Sequence, residues 1–246
     1  EDFYKGLDEL LRISKEALEI KRKILEQLTE QGLYPYSQYY LSNVGKKHGS
    51  QWANHFSTIG LIGVNEGCEN LFKEDISTEK GKAFALELLN YIRERMMEFQ
   101  EETGHFYNLE ATPAEGTSYR LAKMDKEKCP GIVTQGEEEP YYTNSSNLPV
   151  KHTDDLFAAL DHQDEIQSLY TGGTVFHIFL GERVEDIEVC KKLVRNISQN
   201  YHMPYFTLSP SFTICSVHGY IPGEHFTCPY DDTGHEEENI SKEVLT

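Results

Sequence analysis

Apolar residues in the opening segment recur at steps of three and four: Leu7, Leu10, Leu11, Ala17, Leu18, Ile24, Leu25 and Leu28 share a stripe, with Lys and Glu opposite. That period predicts a helix, and Gly32 stands where a helix commonly ends in a left-handed residue. The aromatic stretch from Tyr34 to Leu41 reads as a packed connection whose tyrosines fill a core rim and hydrogen-bond at their tips. From Phe56 to Glu66 an apolar run punctuated by Gly60 and Gly63 suits a buried strand with close backbone approach at its carboxyl end. A second helix is predicted over Thr78 to Thr103, capped by Ser77 or Thr78, with Phe84, Leu88, Leu89, Ile92, Met96 and Phe99 on one face and Gly104 closing it.

Phe106 to Ala111 then alternates like a strand. Beyond Arg120 the pattern turns polar and irregular as far as Tyr141. Leu156, Leu160 and Ile166 carry a helical period, and Gly172-Gly173 precedes the most continuous apolar run, Thr174 to Leu180, a buried strand. Val184, Ile187, Lys191, Val194, Ile197 and Tyr201 mark a third helix, and Tyr205 to Leu208 a further short strand. Strands alternating with helices at this spacing predict an α/β architecture with parallel strands.

The 246 residues and 38% hydrophobic content allow a large core. A formal charge of −18 argues against a nucleic-acid partner, because a polyphosphate would be repelled. The acidic runs Glu137 to Glu139 and Asp231 to Glu238 read as solvated loops. Five cysteines, mostly scattered, do not make a disulfide framework and fit a reducing cytoplasm. No apolar run is long enough for a membrane span. The opening on Glu1 and the close on Thr246 read as a piece of a longer polypeptide.

The densest chemistry lies near the C-terminus. Cys215 and His218, then Cys228 and Asp231, are two donor pairs around a Pro222-Gly223 turn. Thiolate and imidazole donors spaced three apart suit zinc, with Asp231, His225 or His235 as fourth ligand. A degenerate knuckle packed around Tyr220 and Phe226 is the plainer alternative. Glu115 and Arg120 follow a predicted strand, where parallel folds build sites, as active-site carboxylate and anion clamp; a turn in which the two simply pair explains them equally well. Asn144, Ser145 and Ser146 sit in a run of small polar residues closed by Pro149, able to cradle phosphate through backbone N–H groups and hydroxyls, or to form an ordinary turn. His177 reads as a core histidine, Cys190 as packing, and Cys68 as a thiol worth testing for reactivity.

Taken together, Ile59-Gly60-Leu61-Ile62-Gly63 with Glu66, Glu110 to Glu115 with Arg120, Thr143 to Val150, Tyr170 to Thr174 with His177, and Cys215 to Cys228 resemble the anaerobic (class III) ribonucleoside-triphosphate reductases. The resemblance runs in order along nearly the whole chain. It implies the second half of a ten-stranded glycyl-radical-enzyme barrel, residues 1–210, and a zinc-knuckle-like segment, residues 211–246, leading toward a radical loop. It further implies reduction of ribonucleoside triphosphates to deoxyribonucleotides by thiyl and glycyl radicals. Asn144, Ser145, Ser146, Glu115 and Arg120 would then bind substrate, and Cys215, His218, Cys228 and Asp231 a structural zinc. The implied partners are ribonucleoside triphosphates, a radical-SAM activating enzyme and, in the full-length protein, a second subunit; allosteric nucleotides are expected too. No Arg-x-x-Gly-Tyr radical segment occurs, and the thiyl cysteine belongs upstream of Glu1, so this piece alone should be inactive. Two other readings remain: a zinc-knuckle interaction module, and a glycyl-radical enzyme with a non-nucleotide substrate.

Overall fold

A computed structural model of the chain describes residues 2–246 except 137–138, 150–151, 154, 181–183, 185, 211, 216–217, 223–224, 226–227, 230–239 and 242–246. Helix α1 (Asp2–Glu30) turns Leu7, Leu11 and Leu18 inward, as its period predicts. Leu10 and Ile24, expected on the same stripe, are exposed. In the helix's second half the buried residues are polar instead. Arg22 donates from Nη1 to the Trp52 carbonyl (2.7 Å) and from Nη2 to the His55 carbonyl (2.7 Å) and Ser57 Oγ (3.1 Å). Thr29 Oγ1 accepts from Trp52 Nε1 at 2.9 Å. Glu19 accepts from Tyr107 Oη (2.6 Å) and meets His105 Nδ1 (2.8 Å). Burial alone would raise the Glu19 carboxyl, but these two hydrogen bonds and the charges of His105 and Arg22 hold it below the usual carboxylate range.

The aromatic stretch is not a packed connection. It forms two short helices, α2 (Pro35–Tyr40) and α3 (Ser42–His48), and Tyr36, Tyr39 and Tyr40 face solvent. Pro35 at the first helical position presets the turn, and one turn of helix has no inner face large enough to bury three rings. The glycine-punctuated run also divides: β1 (Phe56–Leu61) stops before Gly63, whose φ of 74° starts α4 (Val64–Phe72). Helix α5 (Glu79–Thr103) is capped as predicted, Thr78 Oγ1 accepting from Gly81 N at 3.0 Å, and Gly104 ends it at φ 73°. Strand β2 (Phe106–Ala111) pairs with β1 in parallel, Phe56 opposite Phe106 and Leu61 opposite Ala111.

The region expected to be irregular beyond Arg120 is helical as far as Lys128, since α6 runs Glu115–Lys128, and carries no helix among the described residues from there to Tyr141. Only Ser118 and Ala122 of α6 are buried, so its sequence carries almost no apolar period to detect. Helix α7 (Leu156–Gln167) is capped by Asp155. Strand β3 (Phe176–Leu180), helix α8 (Ile187–Asn200) and strand β4 (Phe206–Pro210) form a second parallel unit. An antiparallel sheet follows, with β5 (Phe212–Cys215) between β6 (Gly219–Pro222) and β7 (Ile240–Ser241).

The two parallel pairs are stitched together. Ala111 N donates to Gly173 O (2.9 Å), and Gly172 N to Leu109 O (2.7 Å). A Cβ on Gly172 would lie 2.9 Å from the Asn108 side chain, so this approach needs glycine. Alternation along the strands separates two faces. Ile59, Leu61, Tyr107 and Leu109 pack into one core with α1, α4 and α5, while Phe176, Ile178, Phe206 and Leu208 pack into another with α7 and α8. Thr58, Gly60, His177 and Phe179 point the other way and are exposed. His177 is therefore no core histidine; its odd place in the period of two turns it from the helices, and Nδ1 meets Thr207 Oγ1 at 2.9 Å.

Candidate functional site

The carboxyl ends of β1 and β2 meet the segment 142–149 across the start of α4. That helix has no side-chain cap; instead Gly63 N donates to Thr143 O (2.9 Å) and Val64 N to Ser145 O (3.0 Å). Loop carbonyls thus serve the orphan N–H groups that every helix start leaves. Glu66, in the first turn of α4 and fully buried, completes the attachment. Its Oε1 accepts from Thr143 Oγ1 (2.6 Å) and Asn65 Nδ2 (3.0 Å), and its Oε2 accepts from Thr143 N (3.0 Å). A carboxylate at this end of a helix is favoured by the helix dipole as well.

Beyond Thr143 the chain turns at Ser145, held at φ 45°, and closes with Asn147 N donating to Asn144 O at 2.9 Å. The Ser145 and Ser146 hydroxyls point inward and share Tyr170 Oη, Ser146 at 2.7 Å. Burial pushes the Tyr170 phenol up to about 12, against the two serine hydrogen bonds, so it stays protonated. Below this pair, Gln163 Nε2 donates to Ser146 O (3.1 Å), Gln167 Nε2 to Asn147 Oδ1 (2.7 Å) and Gln163 Oε1 (2.6 Å), and Thr174 Oγ1 to Gln167 Oε1. The inner side of the turn is fully spent. Its outer side offers the half-buried Asn144; Ser145 and Ser146 are buried, and no acceptor for the N–H groups of Asn144, Ser145 and Ser146 lies among the described residues.

Helix α6 joins the same block. Ser118 Oγ donates to Tyr142 O (2.6 Å) and accepts from Tyr142 N (2.9 Å), while Tyr142 Oη donates to Asp125 Oδ2 (2.8 Å). The helix starts at Ala114, φ 51°, with no side-chain cap, so its first N–H groups stay open just past β2. Thr112, between them, lies beside Gly60: a Cβ there would meet Thr112 Oγ1 at 1.8 Å. Glu115 and Arg120 are both exposed on α6, and among the described residues no ion pair joins them. The structure thus brings Glu115 and Arg120 onto one helix tied to the Asn144–Ser146 turn, although the serine hydroxyls face away from it.

The third cluster is local. Cys215, His218 and Cys228 place their ligand atoms within 4.8 Å of one another. His218 Nδ1 lies 3.6 Å from Cys215 Sγ and 3.2 Å from Cys228 Sγ. With metal bonds of about 2.3 Å to sulfur and about 2.0 Å to nitrogen, a tetrahedral zinc needs donor atoms roughly 3.5–3.8 Å apart; the Cys215 spacing lies in that range, the Cys228 spacing of 3.2 Å is shorter, and the donor set is compatible with zinc. Asp231 and His235 lie outside the described residues. His225 donates its backbone N–H to Thr213 Oγ1 (2.8 Å), and its ring is not one of the three clustered donors. Cys68 is no reactive thiol: it is buried, and burial with the charge of Asp75 pushes it up to about 11.

Comparison with known proteins decides what this arrangement belongs to. Residues 1–240 match the sequence profile of the family described as anaerobic ribonucleoside-triphosphate reductase. The chain belongs to that family. Curated reductases of the same name are 28% identical over 187 residues in Haemophilus influenzae, 26% over 176 residues in enterobacteria phage T4 and 26% over 180 residues in Escherichia coli. These alignments cover 70–71% of this chain but only 25–27% of those proteins, so the chain spans about a quarter of its relatives. The solved anaerobic ribonucleotide reductase from Thermotoga maritima superposes on 92% of this chain and 36% of its own at 26% identity, with a TM-score of 0.69. The same enzyme has been solved in complex with dATP and CTP, covering 92% of this chain at 25% identity and a TM-score of 0.66. These likenesses favour the reductase reading over a zinc-knuckle interaction module.

Sequence reasoning singled out the Asn144–Ser146 stretch, Glu115, Arg120 and the Cys–His–Cys donors, though not helix α6. It missed what fastens them: the Glu66 grip on Thr143, the Ser118 link to Tyr142, and Tyr170 with Gln163 and Gln167 beneath the serines. Glu66 and Tyr170 stood inside quoted motifs, but nothing local pairs residues 77 and 25 positions apart.

Proposed function

We propose that this chain is a part of the catalytic α/β barrel of an anaerobic ribonucleotide reductase, an oxidoreductase that converts ribonucleoside triphosphates to 2′-deoxyribonucleoside triphosphates. The observation that carries it is the block at the carboxyl ends of β1 and β2, where the turn bearing the half-buried Asn144 and the uncapped start of α6 are held together through Ser118 and Tyr142. Helix starts and turns rich in free N–H groups bind phosphate without net positive charge, which a chain of −18 requires. Arg120 supplies a nearby cation for the outer phosphates, and Glu115 shapes the rim.

A parallel sheet covered by helices on one face, with Thr58, Gly60, His177 and Phe179 bare on the other, supports the second half of a ten-stranded barrel whose lumen is that bare face. Residues 1–210 would form the half-barrel and 211–246 the zinc-knuckle-like segment. Cys215, His218 and Cys228 would hold zinc as a structural clip, with Asp231 as fourth ligand. The thiyl cysteine, the glycyl radical, the radical-SAM activating enzyme, the second subunit and nucleotide effectors belong to the whole cytoplasmic enzyme. Among the described residues no helix is long and apolar enough to cross a membrane.

The test uses the complete reductase that carries this segment. Asn144→Ala and Arg120→Ala, both away from the core, should each raise KM for the triphosphate about tenfold with little change in melting temperature. Unchanged kcat and KM in both variants would remove this block from the nucleotide site.

A further inference from the structure

Beneath the Asn144–Ser146 turn runs a chain of hydrogen bonds whose direction is fixed at both ends. At one end His162 Nε2 meets the Ile76 carbonyl at 2.9 Å. A carbonyl only accepts, so the ring proton sits on Nε2 and Nδ1 is left a bare acceptor. Gln163 turns its amide nitrogen to that lone pair (3.1 Å) and gives its other N–H to the Ser146 carbonyl (3.1 Å). Its oxygen accepts one N–H of Gln167 (2.6 Å), whose second N–H goes to Asn147 Oδ1 (2.7 Å). Thr174 Oγ1 closes the chain on Gln167 Oε1. Ser146, Gln163 and Gln167 are fully buried, so water does not reach them to replace a lost partner.

Both amide nitrogens are saturated, and neither amide can flip without setting donor against donor. A second proton on His162 forces that conflict. With Nδ1–H facing the Gln163 nitrogen, the amide must flip to offer its oxygen. The flip sets Oε1 against the Ser146 carbonyl and Nε2 against Gln167 Nε2, which then loses Asn147. One proton at His162 is therefore felt at two residues of the segment. Burial opposes the imidazolium most, joined by the charges of Lys82 on α5 and His152 ahead of α7, while Asp75 ahead of α5 favours it. On α7 itself, Asp161 and Asp164 are turned to Tyr201 Oη (2.8 Å) and His202 N (2.6 Å). We propose that His162 is a positioning residue for nucleotide binding: its neutral ring, acting through Gln163, holds Ser146 and Asn147 where the turn can take a triphosphate, and its protonation releases them. The role rests on the turn being part of the nucleotide site.

The test uses the complete reductase that carries this segment. Its kcat and KM for the triphosphate are measured from about pH 8 to about pH 5.5, around the range where an ordinary histidine titrates. Amide hydrogen exchange is followed across residues 142–149, with melting temperatures alongside. The wild-type KM should be lowest above the ordinary histidine value of about 6.5 and rise as pH falls below it. His162→Gln keeps a donor for Ile76 but presents no acceptor at the place of Nδ1. It should raise KM about tenfold at every pH, with kcat nearly unchanged and exchange faster by a similar factor. His162→Asn puts a carbonyl oxygen near the place of Nδ1 and does not titrate. It should restore both quantities and abolish the rise in KM at low pH. Lower melting temperatures in both variants with KM unmoved would reduce His162 to packing and overturn the inference. A rise in KM that persists in His162→Asn would overturn the protonation switch. Unchanged KM in His162→Gln, where Asn144→Ala raises it, would overturn the positioning role and leave the nucleotide reading standing. Faster exchange in His162→Gln, with KM unmoved there and in Asn144→Ala, would overturn both.

Discussion

The turn at Asn144–Ser146 and the Cys215–Cys228 cluster are both small polar assemblies, yet they are held in opposite ways. The turn is fastened by groups distant in sequence: Glu66 grips Thr143, Tyr170 joins both serines, and Gln163 holds the Ser146 carbonyl. The buried hydroxyls of Thr143, Ser145 and Ser146 each have a partner, which ties the loop to the core. The cluster gathers donors from one hairpin, where His218 lies 3.2 Å from Cys228 Sγ and 3.6 Å from Cys215 Sγ. Protein contacts position the first, and a metal ion would lock the second. Distant anchors make a site precise, whereas local donors make it dependent on what binds them.

The sharpest break of that comparison is Glu66→Ala. It leaves the Thr143 N–H and hydroxyl buried without an acceptor, and should cost about 3–4 kcal/mol in urea unfolding. A loss below about 1 kcal/mol would show that the turn does not depend on this anchor. Next, Cys228→Ser should lower zinc affinity at least about a hundredfold by competition with a chelator, while leaving the urea midpoint of the parallel units nearly unchanged. An equal fall in both would erase the distinction drawn between the two regions.

Tyr170→Phe removes one hydroxyl and strands two serines, at a cost of about 1–2 kcal/mol. A double-mutant cycle with Ser146→Ala should show coupling, since the second change removes a partner already lost. The smallest effect is a pH dependence. Burial pushes the His162 imidazole below its ordinary value, and its neutral form is satisfied on both sides, Nε2 donating to Ile76 O (2.9 Å) and Nδ1 accepting from Gln163 Nε2 (3.1 Å). A base whose folded pKa is depressed binds fewer protons folded than unfolded. Its contribution is therefore complete above the unfolded value of about 6.5 and declines as pH falls through the window below it. His162→Gln should flatten the stability profile between pH 7 and pH 5, roughly the range where an ordinary histidine titrates; an unchanged profile would assign that slope to other groups.

How much of this was legible beforehand depends on distance along the chain. The Thr78 cap, the Gly104 stop, the α5 stripe and the three clustered donors were read correctly, because each is a relation among residues within a turn or a hairpin. Helix α6 was missed because only Ser118 and Ala122 are buried, leaving no period to see. The tyrosines of α2 were misplaced because aromatic content signals burial only where a surface exists to receive it.

The sequence by itself determined the parallel α/β order, the glycines that let Gly60 and Gly172 approach Thr112 and Asn108, and the donor set of the Cys–His–Cys cluster. Period, turn chemistry and ligand type are local properties, written wherever they act. Only the tertiary structure decided which apolar face of α1 meets the core, that the Ser145 and Ser146 hydroxyls turn inward to Tyr170, and that Glu66 secures Thr143. Those outcomes depend on which surfaces compete for burial and which buried donors still lack acceptors, and that competition exists only once distant segments have met.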